Sequence, residues 1–383
     1  MEYKICSRCI IDTTVPGVRF DDKGECNFCR LHDKLEKDYP LTGEGAARLD
    51  VLVKKIKASG KGKKYDCVAG VSGGRDSIYT LYLLKKMGLR PLAVHFNDGF
   101  GNPVAGENMK KAARALDIDL RTVSSDWRES KDIKIAFLKA STPDMEEGTD
   151  IGIATALYGS AHRENVKYVL IGQSFRTEGI APLEWNYLDG NYLKNVHRMF
   201  GTIKLRKWRP DDPGFNLTAF NLFYYTVMRG IRTIPILYYV RYVRREAEEI
   251  IKKELGWVYP GAHYYDDLYQ SLMSYIYRIK FNIDRRIFNY SALVRSGQMP
   301  RDEALARVKE VYAIEDPKVI DLCIKRLGIT RQELDSYIAL PPKTFRNYPT
   351  MYSYVRHMKL PIKILSRLDL LPAVTYDKYF NCG

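Results

Sequence analysis

The stretch Tyr65–Gly88, YDCVAGVSGGRDSIYTLYLLKKMG, decides the fold. Its opening YDCVAGV is a short apolar run of strand length, and its closing IYTLYLLKKMG has helical spacing and ends on Gly88. Between them lies the turn Ser72-Gly73-Gly74-Arg75-Asp76-Ser77. Two adjacent glycines at a strand-to-helix junction let backbone N–H groups turn inward toward an anion, where the helix dipole adds positive potential. Ser72 and Ser77 bring hydroxyl donors, and Asp76 is placed to recruit Mg2+ beside a polyphosphate. The Walker pattern GxxxxGK[ST] is absent, which disfavours cleavage between the β- and γ-phosphates.

Outward from this turn, strand patterns recur at Arg90–Phe96, Leu120–Val123 and Tyr168–Ile171, with helical patterns near Glu107–Leu116 and Ile151–Glu164. Such alternation predicts an α/β, doubly wound parallel sheet whose ligands lie beyond the carboxyl ends of its strands. Asp150 stands where it would cap the helix expected from Ile151. After residue 172 the alternation stops. The Tyr- and Arg-rich remainder reads as mainly helical, with helical periods at Asp266–Ile279 and Pro300–Tyr312. On the amino-terminal side, Leu31–Tyr39 begins a helix and Ala46–Ala58 forms another before a Gly/Lys linker. The expected division is a cysteine knob at 1–40, the sheet domain at 41–200 and a helical region at 201–383.

Two CxxC knuckles, Cys6/Cys9 and Cys26/Cys29, are separated by 16 residues. That spacing predicts a four-thiolate zinc ribbon, closed to substrate and therefore structural; disulfides are the alternative. Cys67, Cys323 and Cys382 stand alone, and Cys67 reads as strand packing.

A hydrophobic content of 45% over 383 residues indicates a packed protein rather than a disordered one. Sixty-one Lys and Arg against 46 Asp and Glu leave a net charge of +15, spread along the chain, that attracts polyanions or only aids solubility. The amino terminus has no apolar run of signal-peptide length, so a cytoplasmic location is expected. Ala219–Val240 is apolar and nearly membrane-length, but Arg229, Gly230, Arg232 and Pro235 interrupt its centre. It reads as buried structure, as an interfacial segment giving peripheral membrane contact, or, least favourably, as a transmembrane helix.

SGGRDS resembles the signature of the PP-loop ATP pyrophosphatases, which implies a Rossmann-like sheet, ATP and Mg2+, and transfer of AMP to a substrate oxygen with loss of pyrophosphate. In that family the end of the second strand holds the adenine, which implicates His95, Phe96, Asn97 and Asp98; the fourth strand adds Gly172, Gln173 and Ser174. Within it, Gly172–Ile180 (GQSFRTEGI), Asn282–Arg286 (NIDRR) and Ser296–Leu305 (SGQMPRDEAL), together with the cysteine knob, resemble the N-acetyl sugar amidotransferases of lipopolysaccharide and O-antigen biosynthesis. The resemblance implies adenylation of the acetamido oxygen of a nucleotide sugar, then attack by ammonia to give an acetamidino sugar. No glutaminase nucleophile is evident, so the resemblance implies a separate glutaminase subunit with a cyclase-like companion.

Glu178 becomes the candidate for deprotonating ammonia or orienting the acetamido N–H, or a salt-bridge or capping residue. Arg176 becomes a phosphate or carboxylate ligand, or a surface arginine. A lysine that many members carry before His263 is Ala262 here, which leaves Lys280, Arg285 or Arg286 to replace it. The competing reading is a tRNA-thiolating PP-loop enzyme, which also combines a CxxC knob with SGGxDS; its sulfur relay needs paired cysteines that are missing between Cys67 and Cys323. The amidotransferase expects no nucleic-acid partner.

Overall fold

The computed structural model describes residues 2–212, 214–215, 217–259, 266–368, 370–371 and 374–380. Its centre is a five-stranded, all-parallel sheet in the order β3-β2-β1-β4-β5. The strands are β1 (Cys67–Gly70), β2 (Pro91–Asn97), β3 (Leu120–Ser124), β4 (Tyr168–Ile171) and β5 (Arg232–Pro235). The first four follow the sequence pattern; the apolar runs of β1, β2 and β4 suit strands covered on both faces, while β3 is a part-exposed edge strand. Side chains alternate between two cores. Val68, Leu92, Val94 and Val169 enter one, while Cys67, Ala69, Ala93 and Leu170 enter the other.

On the second face lie α2 (Gly43–Ser59), α3 (Arg75–Lys86), α4 (Pro103–Leu116) and α9 (Arg244–Leu255). On the first lie α5 (Trp127–Ala140), α6 (Glu147–Arg163) and α7 (Gly190–Phe200). A third core joins α1 (Asn27–Asp38) and the four knob cysteines to α10 (Tyr269–Ile276), α11 (Arg285–Arg295), α13 (Pro317–Leu327) and α14 (Arg331–Ala339). Short α8 (Ala219–Phe223), α12 (Arg301–Arg307), α15 (Tyr352–His357), α16 (Lys359–Arg367) and α17 (Val374–Phe380) complete the chain.

The structure differs from the sequence reading at four places. The alternation does not stop at 172: β5 pairs with β4 from Tyr168↔Arg232 to Ile171↔Pro235. Proline at its end is tolerated because β5 is an edge strand. The apolar stretch 219–240 is therefore broken into α8, a π-helical turn at Tyr224–Met228, β5 and a short 3-10 turn at Ile236–Tyr238. No helix among the described residues is long and apolar enough to cross a membrane. α5 went unseen because its charged residues mask the buried stripe Ile133, Ala136, Phe137 and Ala140. Asp150 is no cap, since α6 starts at Glu147 and Asp150 lies inside its first turn.

Around that first turn sit several carboxyls. Burial raises Asp144 and Asp150 each to about 7, although the Tyr187 N–H and Asn186 Nδ2 donate to them respectively. Their folded values exceed the usual unfolded value near ~4. The stabilising protonated forms are thus complete below that value and lost as pH rises toward 7. Asp150→Asn should flatten this decline: its Tm should fall less than the wild-type Tm between pH 5 and pH 8, and an equal fall would refute the shifted carboxyl.

Candidate active site and metal centre

The phosphate loop leaves β1 at Gly70 and enters α3 through Gly74, an extended residue in the N-cap position. Gly73 has φ +87, and a Cβ there would stand 2.1 Å from the Ala105 carbonyl oxygen of α4. Only glycine fits both demands. Trp257 Nε1 donates to the Gly73 carbonyl at 3.0 Å and Asn108 Nδ2 at 3.4 Å, so the loop is gripped from two elements. Ser72 and Ser77 hydroxyls lie 3.2 Å apart, and Ser77 Oγ donates to the Gly74 carbonyl at 3.0 Å. Gly172, at the end of β4, packs against the first turn of α3: a Cβ would stand 2.8 Å from the Asp76 carbonyl oxygen.

Asp76 is buried, and Arg75 Nε donates to its Oδ1 at 2.9 Å while the Tyr242 hydroxyl donates to the same oxygen. Arg75 also reaches Tyr242 and lies 3.7 Å from Glu248 of α9. Its guanidinium therefore supports Asp76 from beneath rather than projecting toward a phosphate. Gln298 in turn fixes Tyr242, donating to its carbonyl at 3.0 Å and accepting from Arg244 N at 2.9 Å.

At the end of β2, His95 Nδ1 lies 3.1 Å from the Val71 carbonyl, and burial lowers its pKa, favouring the neutral ring. Phe96 turns its ring inward against Gly152 and Phe215. Asn97 accepts from Gly99 N and lines an open cleft of about 330 Å3 with Gly99, Ser124, Ser125, Trp127 and Arg326. Asp98, expected near base and ribose, is instead spent on buried Lys134 at 2.8 Å and Thr149 at 2.7 Å.

Beyond β4, Gln173 is half-buried and Ser174 begins a tight turn in which Glu178 N donates to Ser174 O. Glu178 is half-buried there, with its charge felt by the buried Tyr238 hydroxyl. Arg176 is buried rather than on the surface. It forms a two-pronged ion pair with Glu36 of α1, at 2.8 and 2.7 Å, and donates to the Tyr238 and Tyr39 carbonyls. It joins the knob's helix to the sheet.

Asp266 was missed. Its Oδ2 lies 3.2 Å from where a Gly74 Cβ would stand, and its backbone carbonyl accepts from Asn102 N. An aspartate pair at the head of a helical-looking stretch carries no signal of such placement. Ala262 and His263 lie outside the described residues. The three suggested replacements for the missing lysine are engaged within the protein: Lys280 with the Tyr337 carbonyl, Arg285 with Gln270, and Arg286 with Asp284 and three backbone carbonyls.

The sulfurs of Cys6, Cys9, Cys26 and Cys29 lie within 4.8 Å of one another and are all buried. Sγ pairs at 3.8 Å (Cys6–Cys29), 3.7 Å (Cys9–Cys26) and 3.6 Å (Cys26–Cys29) match the edge of about 3.8 Å that four ~2.3 Å Zn–S bonds impose on a tetrahedron. Cys26 N donates to Cys6 Sγ at 3.2 Å and Arg295 to Cys9 Sγ at 3.6 Å, contacts that favour thiolates. Arg301 donates to the Cys9 and Cys6 carbonyls at 3.1 and 2.9 Å. The four residues fit a structural zinc ion, which would tie the knob's two ends together.

Residues 259–360 match the family described as LPS biosynthesis protein WbpG-like, C-terminal domain. An uncharacterized protein from Methanocaldococcus jannaschii is 27% identical over 126 residues, or 32% of this chain. The match spans 44% of that relative's length, less than half. Among solved structures, NMN synthetase from Francisella tularensis is similar at 13% identity and a TM-score of 0.30. The NH3-dependent NAD synthetase from Campylobacter jejuni is similar at 15% and 0.29; each comparison covers 78% of this chain and 98% of the other.

Elemental analysis of the purified protein should find about one zinc per chain, and Cys26→Ser should lose it and lower Tm. A metal-free protein with unchanged Tm would refute the site. Gly73→Ala should keep the far-UV circular dichroism of the wild type yet weaken ATP binding by about tenfold or more in calorimetry, because the added Cβ meets backbone on one side and a disfavoured φ on the other. Wild-type affinity would contradict the described loop.

Proposed function

We propose that this chain, a PP-loop fold whose residues 259–360 carry a WbpG-like C-terminal domain, is an ATP-dependent, AMP-forming amidotransferase acting on an N-acetylated nucleotide sugar in surface-polysaccharide synthesis. The observation that carries this reading is the phosphate loop: glycine-built and opening beyond the strand ends beside Asp76 and Asp266.

An amide carbon is a poor electrophile. The acetamido oxygen first attacks the α-phosphorus, forming an O–P bond as the bond to pyrophosphate breaks. Ammonia then adds to the activated carbon, a proton is lost, and AMP departs with the former acetamido oxygen, leaving an acetamidine. Mg2+, when bound, would neutralise the departing pyrophosphate, and Asp76 of the loop with Asp266 beside it would supply the hard oxygen ligands it prefers. Loop N–H groups would hold the phosphates, and the neutral His95 and Asn97 at the end of β2 stand toward the nucleoside. Glu178 is the group proposed to take the ammonia proton. Arg176 takes no part, being committed to Glu36.

The thiolation reading draws no support from the thiols among the described residues, outside which Cys382 lies. Cys67 is sealed in β1 with its pKa pushed up by burial, and Cys323, pushed up to about 12, donates to the Leu268 carbonyl. Ammonia is proposed to come from a separate glutaminase subunit with a cyclase-like companion.

Incubating the protein with ATP, Mg2+, ammonium salt and acetamido nucleotide sugars should yield AMP and a product about one mass unit lighter than the parent sugar, since NH replaces O. Asp76→Asn should abolish both with the fold retained, and glutamine alone should give neither. AMP formation requiring tRNA and a sulfur donor would overturn the reading.

A further inference from the structure

Near the carboxyl end, α16 buries Ile362 and Ser366 but leaves Leu360, Ile364 and Leu368 67, 50 and 50% exposed. Steps of four place these three in one row along the helix. Lys359, Lys363 and Arg367 repeat at the same step one position earlier, so a basic row runs beside the apolar one. Lys359 and Lys363 stand over the Phe380 and Tyr376 rings of α17, which holds them at that border. Tyr354, Arg356 and Met358, in and just after the preceding α15, are exposed as well.

A second exposed apolar group, Phe220 (71%), Phe223 and Met228, belongs to α8 and its π-helical continuation. Both groups are rooted at one corner. Asp189 accepts from Met351 N, directly before α15, and a Cβ on Gly190 would meet the Leu217 carbonyl at 2.3 Å, directly before the Thr218 cap of α8. The segment 219–240 thus contributes only its first exposed turns to this face, and its later part is sheet and core.

Charge says what covers the face. From Ser336 to Leu368 the sequence has Lys343, Arg346, Arg356, Lys359, Lys363 and Arg367 and no Asp or Glu, and of these Arg346 pairs with Glu184. A basic row bordering an aliphatic row matches the headgroup and acyl boundary of an anionic bilayer; a nucleic acid would satisfy the first row and leave the second in water. We propose that α15–α16, with the exposed turn of α8, dock this protein peripherally on an anionic lipid surface. The proposal is independent of the chemistry at the phosphate loop.

Co-sedimentation of the full chain with phosphatidylglycerol-containing vesicles and with pure phosphatidylcholine vesicles tests it. The bound fraction should be about fivefold or more higher on the anionic vesicles and should fall as salt rises. Leu360→Ser/Ile364→Ser and, separately, Lys359→Glu/Lys363→Glu should each remove most of this binding while Tm stays at the wild-type value. Equal binding to both vesicle types, or anionic binding untouched by both double variants, would overturn the proposal. So would finding, by light scattering without lipid, that the same face holds a stable dimer which the Ser variant dissociates.

Discussion

Asp76 keeps a carboxylate inside the protein because Arg75 and the Tyr242 hydroxyl stabilise it there, and much of the surrounding architecture serves to hold those two groups. A buried carboxylate without such partners would cost several kcal/mol and take up a proton instead. Arg75 is anchored by the α9 residue Glu248, and Tyr242 lies in the turn leading from the sheet into that helix. The sheet's last strand therefore has a function beyond extending the sheet: it delivers the chain to Tyr242 at the level of the phosphate loop.

The segment Ser296–Arg301 connects that arrangement to the cysteine knob. Ser296 donates to the Arg176 carbonyl, Gln298 bonds Tyr242 and Arg244, and Arg301 closes on the Cys6 and Cys9 carbonyls. Arg176 completes the circuit by pairing with Glu36 of the knob's helix. Four remote stretches of sequence meet at one junction. A metal that stiffened the knob would thereby stiffen, through Arg301 and Gln298, the turn that presents Tyr242 to Asp76. Zinc with no open position would act on chemistry only by this kind of mechanical support.

Local signals carried most of the sheet and the loop. SGGRDS between an apolar run and a helical run has one economical conformation, and both CxxC knuckles need only their own spacing to be recognised. What depends on distant partners was not legible. β5 hides inside an apolar stretch because Thr233 to Pro235 become a strand only by pairing with β4. Arg176 reads as a ligand of anions until Glu36 is seen beside it, and Asp98 reads as a neighbour of base and ribose until buried Lys134 claims it. The last two are pairings of opposite charges far apart in sequence, for which no periodicity exists.

The consecutive residues Asp266 and Asp267 show how such a pairing builds a site. Lys134 is buried against the Phe100 and Tyr269 rings and faces Asp98, while Asp267 feels both groups. Burial and the neighbouring Asp98 charge push Asp267 well above the usual carboxylate range, which favours its neutral form in this floor beside the Asp98–Lys134 pair and Glu146. A neutral Asp267 can sit in the floor and pair its backbone with Gly101, with Leu268 N donating to the Phe100 carbonyl. That short antiparallel contact fixes the direction of the preceding residue, and Asp266 is carried against Gly74 of the loop. An ionised Asp267 beside Asp98 would be repelled from the floor. The contact with Gly101 would loosen, and Asp266 would lose its position.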